Sequence, residues 1–514
     1  MKLRYILPGL MAITATLTGC IDDSSSYGGQ PIPELSVITN ATDPDKLPEV
    51  NFNYGENCVI TPQIRYDGNG QLEYEWSIGT YDNDSKGELE VVSNEEVLTY
   101  FFPKGGSYYA HLKVTDGTVG VVQEYQVNIN RTFEQGFIII SNDARNIGNL
   151  AFIKDLTPEE VEAGMSPIVM EHCLERVNQN IGEDKIAGAT VMRMSWPSEI
   201  TRIVVACGSK ILFIDPNTFI SITTIENEKV IPGFHADMLI GGTNAIAYDT
   251  DLQRFITIRG EDMLGVESNV KRDPFDTFFS GNYYAYGTQY YHNFFVNRSP
   301  LAIWHQSYEG RIDAGDLTDG NGYSILKDKE LVNVFMGEPE QYQISGRWVS
   351  YYPGHIITRD VTNGKYYHSK IRGFSPNDTE LVLVSHNEIT YNAQSAIPAT
   401  EGAIAVSAKY HRVYYSCGNR VYVMLISENG VNWPATTQAV LTYPDDEEVT
   451  FMTVNESSEE LIVATANKQS GRGSVYMYDS ANVRTDMPDT PANAEYKNCA
   501  DRISNIFYKP RVAN

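Results

Sequence analysis

The cysteines are the first residues that could do chemistry: Cys20, Cys58, Cys173, Cys207, Cys417 and Cys499. Two of them sit in nearly identical stretches, "TRIVVACGSKILFI" (201–214) and "HRVYYSCGNRVYVM" (411–424). A zinc clip or a redox dithiol needs close spacing such as Cys-x-x-Cys, and none is present. Cys20 has a separate role, treated below. The five that remain are an odd number without close spacing, which is neither a disulfide framework nor a zinc site. Cys207 and Cys417 occupy equivalent places in two copies of one unit and are expected to stay unbonded. The expected role of the five is that of small apolar side chains filling space.

Other reactive constellations are missing. The chain has no His-Glu-x-x-His, no Gly-x-Ser-x-Gly and no phosphate-binding glycine loop. "SENGVNW" (427–433) is similar to the Asp-box of sialidase propellers, but its spacing differs and it occurs once. A hairpin turn before a strand accounts for it. "DLTDGNG" (316–322) lacks the alternating ligands and closing Glu of a calcium loop, and reads as a solvated loop. Paired carboxylates stay open, because spacing along the chain cannot identify a pair formed in space. No catalytic residue, metal ligand or cofactor is assigned.

One stretch stands out for binding rather than reaction. "FDTFFSGNYYAYGTQYYHNFFVNRSPLAIWHQSY" (275–308) holds twelve aromatics, in a chain that is 11% aromatic. Strict alternation is missing, with Gly281, Gly287 and Asn293 interrupting, so part of it is expected to be loop. Two readings stand. The rings are strand core of neighbouring blades, or they form a platform that stacks on sugar rings or peptides with a hydrogen-bonding tip. On the second reading the ligand-binding residues are Tyr283, Tyr284, Tyr286, Tyr290, Tyr291 and Trp304.

The elements that position these residues follow from the whole chain. Its 514 residues allow several domains, and 42% apolar content is enough for true cores. A formal charge of −27 without Lys/Arg clusters excludes nucleic acid as a partner. Thirty-three Tyr suit strands with one wet end.

Residues 1–20, "MKLRYILPGLMAITATLTGC", have the basic start, apolar stretch and small-residue end of a secretory signal. Leu17-Thr18-Gly19-Cys20 resembles a bacterial lipobox, which implies that Cys20 becomes the acylated mature N-terminus. Several acyl chains on one residue hold a protein at a bilayer without a spanning segment. The acidic Ile21-Asp22-Asp23 run resembles the segment after the lipidated Cys in surface-exposed lipoproteins of Bacteroides-type bacteria. Residues 21–34 read as a flexible tether.

Residues 35–131 alternate apolar and polar, with turns at short spacing, as an all-β sandwich does. "LEYEWSIG" (72–79) places Leu72, Tyr74 and Trp76 on one strand face, and "GGSYYAHLKVTDG" (105–117) alternates again. The Tyr-x-Trp strand, the Gly-x-Tyr strand and the terminal Thr-Asp resemble a PKD domain, an immunoglobulin-like sandwich of extracellular proteins. The sequence departs from that family's pattern at Ser77–Tyr81. Trp76 reads as the sandwich's core Trp rather than a ligand platform.

From Phe133 the chain repeats. "AIAYDTDLQRFITIRGEDM" (245–263) aligns without gaps to "AIAVSAKYHRVYYSCGNRV" (403–421). Anchors at Arg202, Arg254, Arg412 and Glu460 give a unit of about 50 residues. Weaker copies fall at 299–315 and 354–370, and a first copy, "GFIIISNDARNIGNLAFIKD" (136–155), lacks its leading strand. The C-terminal "ISNIFYKP" (503–510) is an orphan strand that could supply it. The count is seven, with six or eight left open by the weak copies. This is the pattern of a β-propeller over residues 132–514, closed by its last strand. The excess at 157–180 reads as a helical insertion, opened by a capping box at Thr157-Pro158-Glu159-Glu160.

Signal, lipobox, sandwich and propeller together resemble the PKD-like family lipoproteins of Bacteroidetes. The resemblance implies an outer-membrane protein, lipid-anchored and facing the cell exterior. It further implies an accessory component of a SusC/SusD-type uptake system that binds a nutrient, glycan or peptide. A propeller hydrolase or lyase acting on polysaccharide, and a non-catalytic scaffold docking other lipoproteins, remain the alternatives.

Overall fold

The computed structural model describes residues 32–512 except 40–46, 83–84, 131, 163, 179–183, 195–199, 242–244, 261, 269–274, 286–287, 307–311, 315–316, 320, 345–346, 373–380, 401, 428–429, 434–437 and 456–458. Contacts divide the chain into two units. The first holds residues up to Glu49, Val59–Thr99 and Tyr109–Gln126. The second holds Val50–Cys58, Tyr100–Tyr108 and Val127–Asn514.

The N-terminal sheets are antiparallel. The largest takes its strands in the order Glu49–Asn53, Gly120–Asn130, Gly106–Thr115, Glu73–Asp82 and Ser85–Lys86, with Glu90–Ser93 also on Glu73–Asp82. In the first unit Trp76 is fully buried, its ring lies 5.7 Å from Tyr125, and its Nε1 donates to the Glu95 carbonyl at 3.1 Å. It is a core residue, since an indole N–H out of water needs such an acceptor.

Within the second unit, the described residues from Gly136 onward form a ring of seven blades. Blade 2 spans residues 186–226, blade 3 238–267, blade 4 277–314, blade 5 329–388, blade 6 404–432 and blade 7 447–500. In each, four strands pair in chain order, and in blade 6 a fifth, Leu441–Thr442, also pairs with Arg420–Ser427. Blade 1 is assembled from Gly136–Asn142, Gly148–Lys154, Val169–Met170 and the C-terminal strand Arg502–Lys509. That last strand pairs with Gly136–Asn142 from Asn142↔Arg502 to Gly136↔Lys509, so the orphan strand supplies the missing lead. Closure removes two free sheet edges.

Burial explains the sequence pattern. The second strand of blade 1, Gly136–Asn142, is buried at six consecutive residues because blades cover both its faces. The outer strand of blade 2, Ser221–Glu226, alternates half-buried and exposed because one face meets water. Apolar cores lie between successive blades: Val204, Phe213, Ala247 and Ile256 between blades 2 and 3, and Tyr414, Val421, Leu461 and Val463 between 6 and 7. Blades 1 and 2 meet through Phe152 and Phe219, 5.6 Å apart, and through the Ile186 N–H donating to Asn142 Oδ1 at 2.9 Å.

The repeat was read in the wrong phase in two places. In blades 1, 2, 5, 6 and 7 the copies are the second and third strands of a blade. In blade 3 that hairpin begins at Ala245, so Arg254 opens the third strand instead of the second. In blade 4 the copy at 299–315 covers the third and fourth strands, Leu301–Gln306 and Ile312–Ala314. The second strands begin at Gly136, Ile200, Ala245, Thr288, Gly354, Arg412 and Glu460, which is not an even step. Blade cores set the number of strands, while hairpin lengths are free to vary, and blades 4 and 5 use that freedom.

The two Cys-Gly corners both lie between a second and a third strand, yet for different reasons. Gly418 has φ +62°, a left-handed turn that a side chain resists. At Gly208 a Cβ would lie 2.0 Å from His235 Nε2. Cys207 is buried as expected, whereas Cys417 is exposed. Cys58, Cys173 and Cys499 are buried, and all five of these thiols are free.

The region 157–180 holds two five-residue helices, Pro158–Glu162 and Cys173–Val177, on either side of the outer strand of blade 1. The Thr157 N–H donates to Glu160 Oε2 and the Glu160 N–H to Thr157 Oγ1, which is a reciprocal capping box.

Candidate functional site: the hairpins of blades 4 and 5

Most of the aromatic stretch is strand, with Ser299 and Pro300 in the turn between two of its strands. Thr277–Ala285 and Thr288–Arg298 form the inner hairpin of blade 4, paired residue by residue from Thr277↔Val296 to Ala285↔Thr288. Gly281 and Asn293 sit inside this ladder, opposite His292 and Ser280. A continuous ladder satisfies their backbone groups locally, so weak strand formers are tolerated there.

The register sorts the expected site residues. Tyr283 lies directly opposite Tyr290, Tyr284 opposite Gln289, and Tyr291 opposite Asn282. Trp304, in the third strand, lies opposite Phe295. By alternation positions 283 and 290 share the face of Phe294, and positions 284, 291 and 304 share that of Phe295. Phe294 belongs to the core between blades 4 and 5, and Phe295 to the core between blades 3 and 4. The register brings 283 and 290 together in one cross-strand pair, apart from 284, 291 and 304. Tyr286 and Cys20 lie outside the described residues.

Blade 5 adds an element that sequence reasoning missed. Between its first strand, Lys329–Met336, and its second, Gly354–Asp360, the chain inserts a separate hairpin, Glu340–Ile344 and Arg347–Tyr351. The strand Arg347–Tyr351 lies against Thr277–Ala285 of blade 4. The hairpin carries Tyr342, Trp348 and Tyr351. Its signal was available in "EQYQISGRWVSY" (340–351), where aromatic positions flank a Ser-Gly turn.

The root of that hairpin is charged and matched. Glu340 pairs with Lys370 of blade 5. Glu338 meets His411 of blade 6 at 2.6 Å. The Gly337 N–H donates to the Pro353 carbonyl at 2.8 Å and closes the loop. Beside it His355 is buried, stacked on Phe335 at 4.9 Å, with its Nδ1 2.7 Å from His368 Nε2. One of these nitrogens carries the shared proton. Burial holds His355 well below the ordinary histidine range and pushes His368 down to about 4, with Lys370 adding to both. The pair is neutral and closed in, suited to holding the strands of blade 5 rather than to meeting a ligand.

Among the described residues no group of three or more His, Cys, Asp or Glu side chains is arranged to hold a metal ion. No helix among them is long and apolar enough to cross a membrane.

The fold and this site define a seven-bladed β-propeller preceded by antiparallel sheets, with aromatic hairpins on two adjacent blades. No protein family and no curated protein matches the chain. Solved structures resemble it in fold. A quinoprotein alcohol dehydrogenase-like protein of Bacteroides thetaiotaomicron is 12% identical over 92% of this chain and 99% of its own, with a TM-score of 0.47. An auxiliary nutrient binding protein of the same organism is 9% identical over 82% and 96%, with a TM-score of 0.27. Dihydro-heme d1 dehydrogenase is 8% identical over 77% and 72%, with a TM-score of 0.37.

Proposed function

We propose that this chain is an accessory nutrient-binding lipoprotein of the outer membrane, anchored through Cys20 and facing the cell exterior. It captures a glycan or peptide for a SusC/SusD-type importer. The observation that carries the binding part is the pair of aromatic hairpins, one from blade 4 and one from blade 5, lying against each other. Rings with polar tips, grouped on rigid strands, are what a stacking site requires. The address rests on the signal-like residues 1–20 and the lipobox-like Leu17–Cys20.

Purification of the native lipoprotein from membranes, followed by glycan and peptide arrays, tests this. The expected result is a co-purifying transporter and at least one bound ligand class. With neither, the capture reading fails. Products released from a polysaccharide panel would replace it with an enzyme. Labelling with a radioactive fatty acid should be lost in Cys20→Ala; persistent labelling would refute the anchor.

A further inference from the structure

We infer that the buried His355–His368 pair is an acid-operated latch, whose protonation opens the root of the inserted hairpin while the rest of blade 5 stays paired. This goes beyond the capture reading and does not depend on it.

The pair has no place for a second proton. His355 Nδ1 and His368 Nε2 lie 2.7 Å apart, so one donates and the other accepts. His368 Nδ1 is buried without a hydrogen-bond partner. A buried orphan N–H is rarer than a buried orphan acceptor, which assigns the bridging proton to His368 Nε2 and makes His355 Nδ1 its acceptor. A proton added at His355 Nδ1 sets two N–H groups against each other. A proton added at His368 Nδ1 buries a donor with no acceptor. Either one removes what holds the two rings together.

His355 carries this to the root. Its ring stacks on Phe335 at 4.9 Å, and its other nitrogen faces the point where the hairpin leaves the blade. At Gly337 a Cβ would lie 2.2 Å from His355 Nε2 and 3.1 Å from Pro353 Cγ. Those two residues close the root, the Gly337 N–H donating to the Pro353 carbonyl at 2.8 Å. A ring driven off His368 has that closure in its path. Beyond it the hairpin pairs only with itself, among the described residues. The blade's own strands are held by separate ladders, Lys329↔Asp360 to Met336↔Gly354 and Gly354↔Ile371 to Arg359↔Tyr366. The root can therefore open without them. Arg347–Tyr351 lies against Thr277–Ala285 of blade 4, so an open root loosens that contact as well.

The surroundings set the direction. Burial disfavours a positive charge on both rings, with His368 and Lys370 adding to this at His355, and Lys370 and His386 at His368. Lys370 lies opposite His355 in the ladder and pairs with Glu340 of the hairpin. His386, on the fourth strand, has its Nδ1 2.9 Å from Ser369 Oγ. From the first strand Phe335 packs with Val413 and Tyr415 of blade 6, and the Tyr415 hydroxyl donates to the Ala396 carbonyl. The contact of Glu338 with His411 tightens when His411 gains charge, so it opposes opening. Both members of the buried pair resist protonation while the root is closed. The closed root is thus fully present above the ordinary histidine range and is lost as pH falls through it.

Amide hydrogen exchange of the full chain, from about pH 7.5 to about pH 4.5 and corrected for the intrinsic rate, tests this. Protection over residues 337–353 should fall about 25-fold between about pH 7.5 and about pH 5, as one freed histidine requires, while residues 356–360 and 366–371 keep theirs. The imidazole signals of the pair, followed by NMR in the same chain, should titrate over the same range. In the double variant His355→Gln, His368→Gln the hairpin's protection should stay flat, and in His411→Gln the fall should remain. Loss of protection at 356–360 together with the hairpin would mean that the blade unfolds as a whole, and overturns the latch. A fall that persists in the double variant, or vanishes in His411→Gln, overturns it too. Should the double variant not fold, the parent decides: imidazole midpoints away from the exchange midpoint overturn the inference.

Discussion

Blades 7 and 1 and blades 4 and 5 sit in the same ring and treat their hairpins in opposite ways. Where the ring closes, every element is tied down. The closing strand buries Ile503 and Ile506 in a core with Phe137, Ile139, Ile462 and Val475. The fully buried Lys509 donates to the Glu134 carbonyl at 2.7 Å, and burial pushes its ammonium down to about 8. On the opposite end of that strand Arg472 of blade 7 pairs with Glu171 of blade 1 and with Asp501. Blade 4 instead runs its inner hairpin on past its third strand, and blade 5 carries an inserted hairpin between its first two strands. The seam is held by a buried core and by ion pairs, and the added chain lies in blade 5.

Removal of residues 502–514 should break the comparison most completely. Two fully buried isoleucines are worth about 1.5–3 kcal/mol each, and a whole strand ladder goes with them. Against a typical margin of about 5–15 kcal/mol the second unit should lose its cooperative melt. A normal melting transition in the truncated chain would show that the seam is not where stability lies.

Acid should act on blade 5 next. An unfolded histidine takes its proton near pH 6.5, while folded His368 resists until about 4 and burial holds His355 well below its ordinary value too. Between those values unfolding takes up protons, so stability is fully present above pH 6.5 and falls as pH drops through the window. His368 alone accounts for up to about 3 kcal/mol of that loss. Denaturant melts from pH 8 to pH 4 measure it. His368→Gln should cost about 1–2 kcal/mol at pH 8 and flatten the acid slope. An unchanged slope in that variant would assign the loss elsewhere.

Arg472→Ala should cost about 1 kcal/mol, shrinking in high salt, because its partners are only partly shielded from water. The smallest effect on stability is expected from replacing Glu338–Tyr352 by Gly-Gly, within about 1 kcal/mol by chemical denaturation. A larger loss would make the insertion part of the seam-like framework and erase the contrast.

Much of the framework was legible because its signals are local. Alternation marked the sandwich strands, buried β-branched runs such as Ile203–Ala206 marked the second strands of blades, and the orphan C-terminal strand announced ring closure. The blade phase was less legible. Arg254 opens a third strand and Arg202 lies in a second, but both begin an apolar run after a turn, and strand order within a blade leaves no local mark. The aromatic stretch was readable in composition, but the run of its strands was not, because Gly281 and Asn293 interrupt its period while the ladder holds them in place. The insertion in blade 5 went unread because an added hairpin keeps the same period as the strands beside it.

The residues alone determined a largely β chain, a repeat of about 50 residues, a signal-like N-terminus ending at Cys20, and the absence of charge over 277–297. Periodicity and composition are properties of neighbours along the chain, and those survive without coordinates. The tertiary structure decided which rings stand together, that Cys207 is buried while Cys417 is exposed, and that His355 and His368 share one proton. These depend on which blade lies beside which, and only the closed ring sets that.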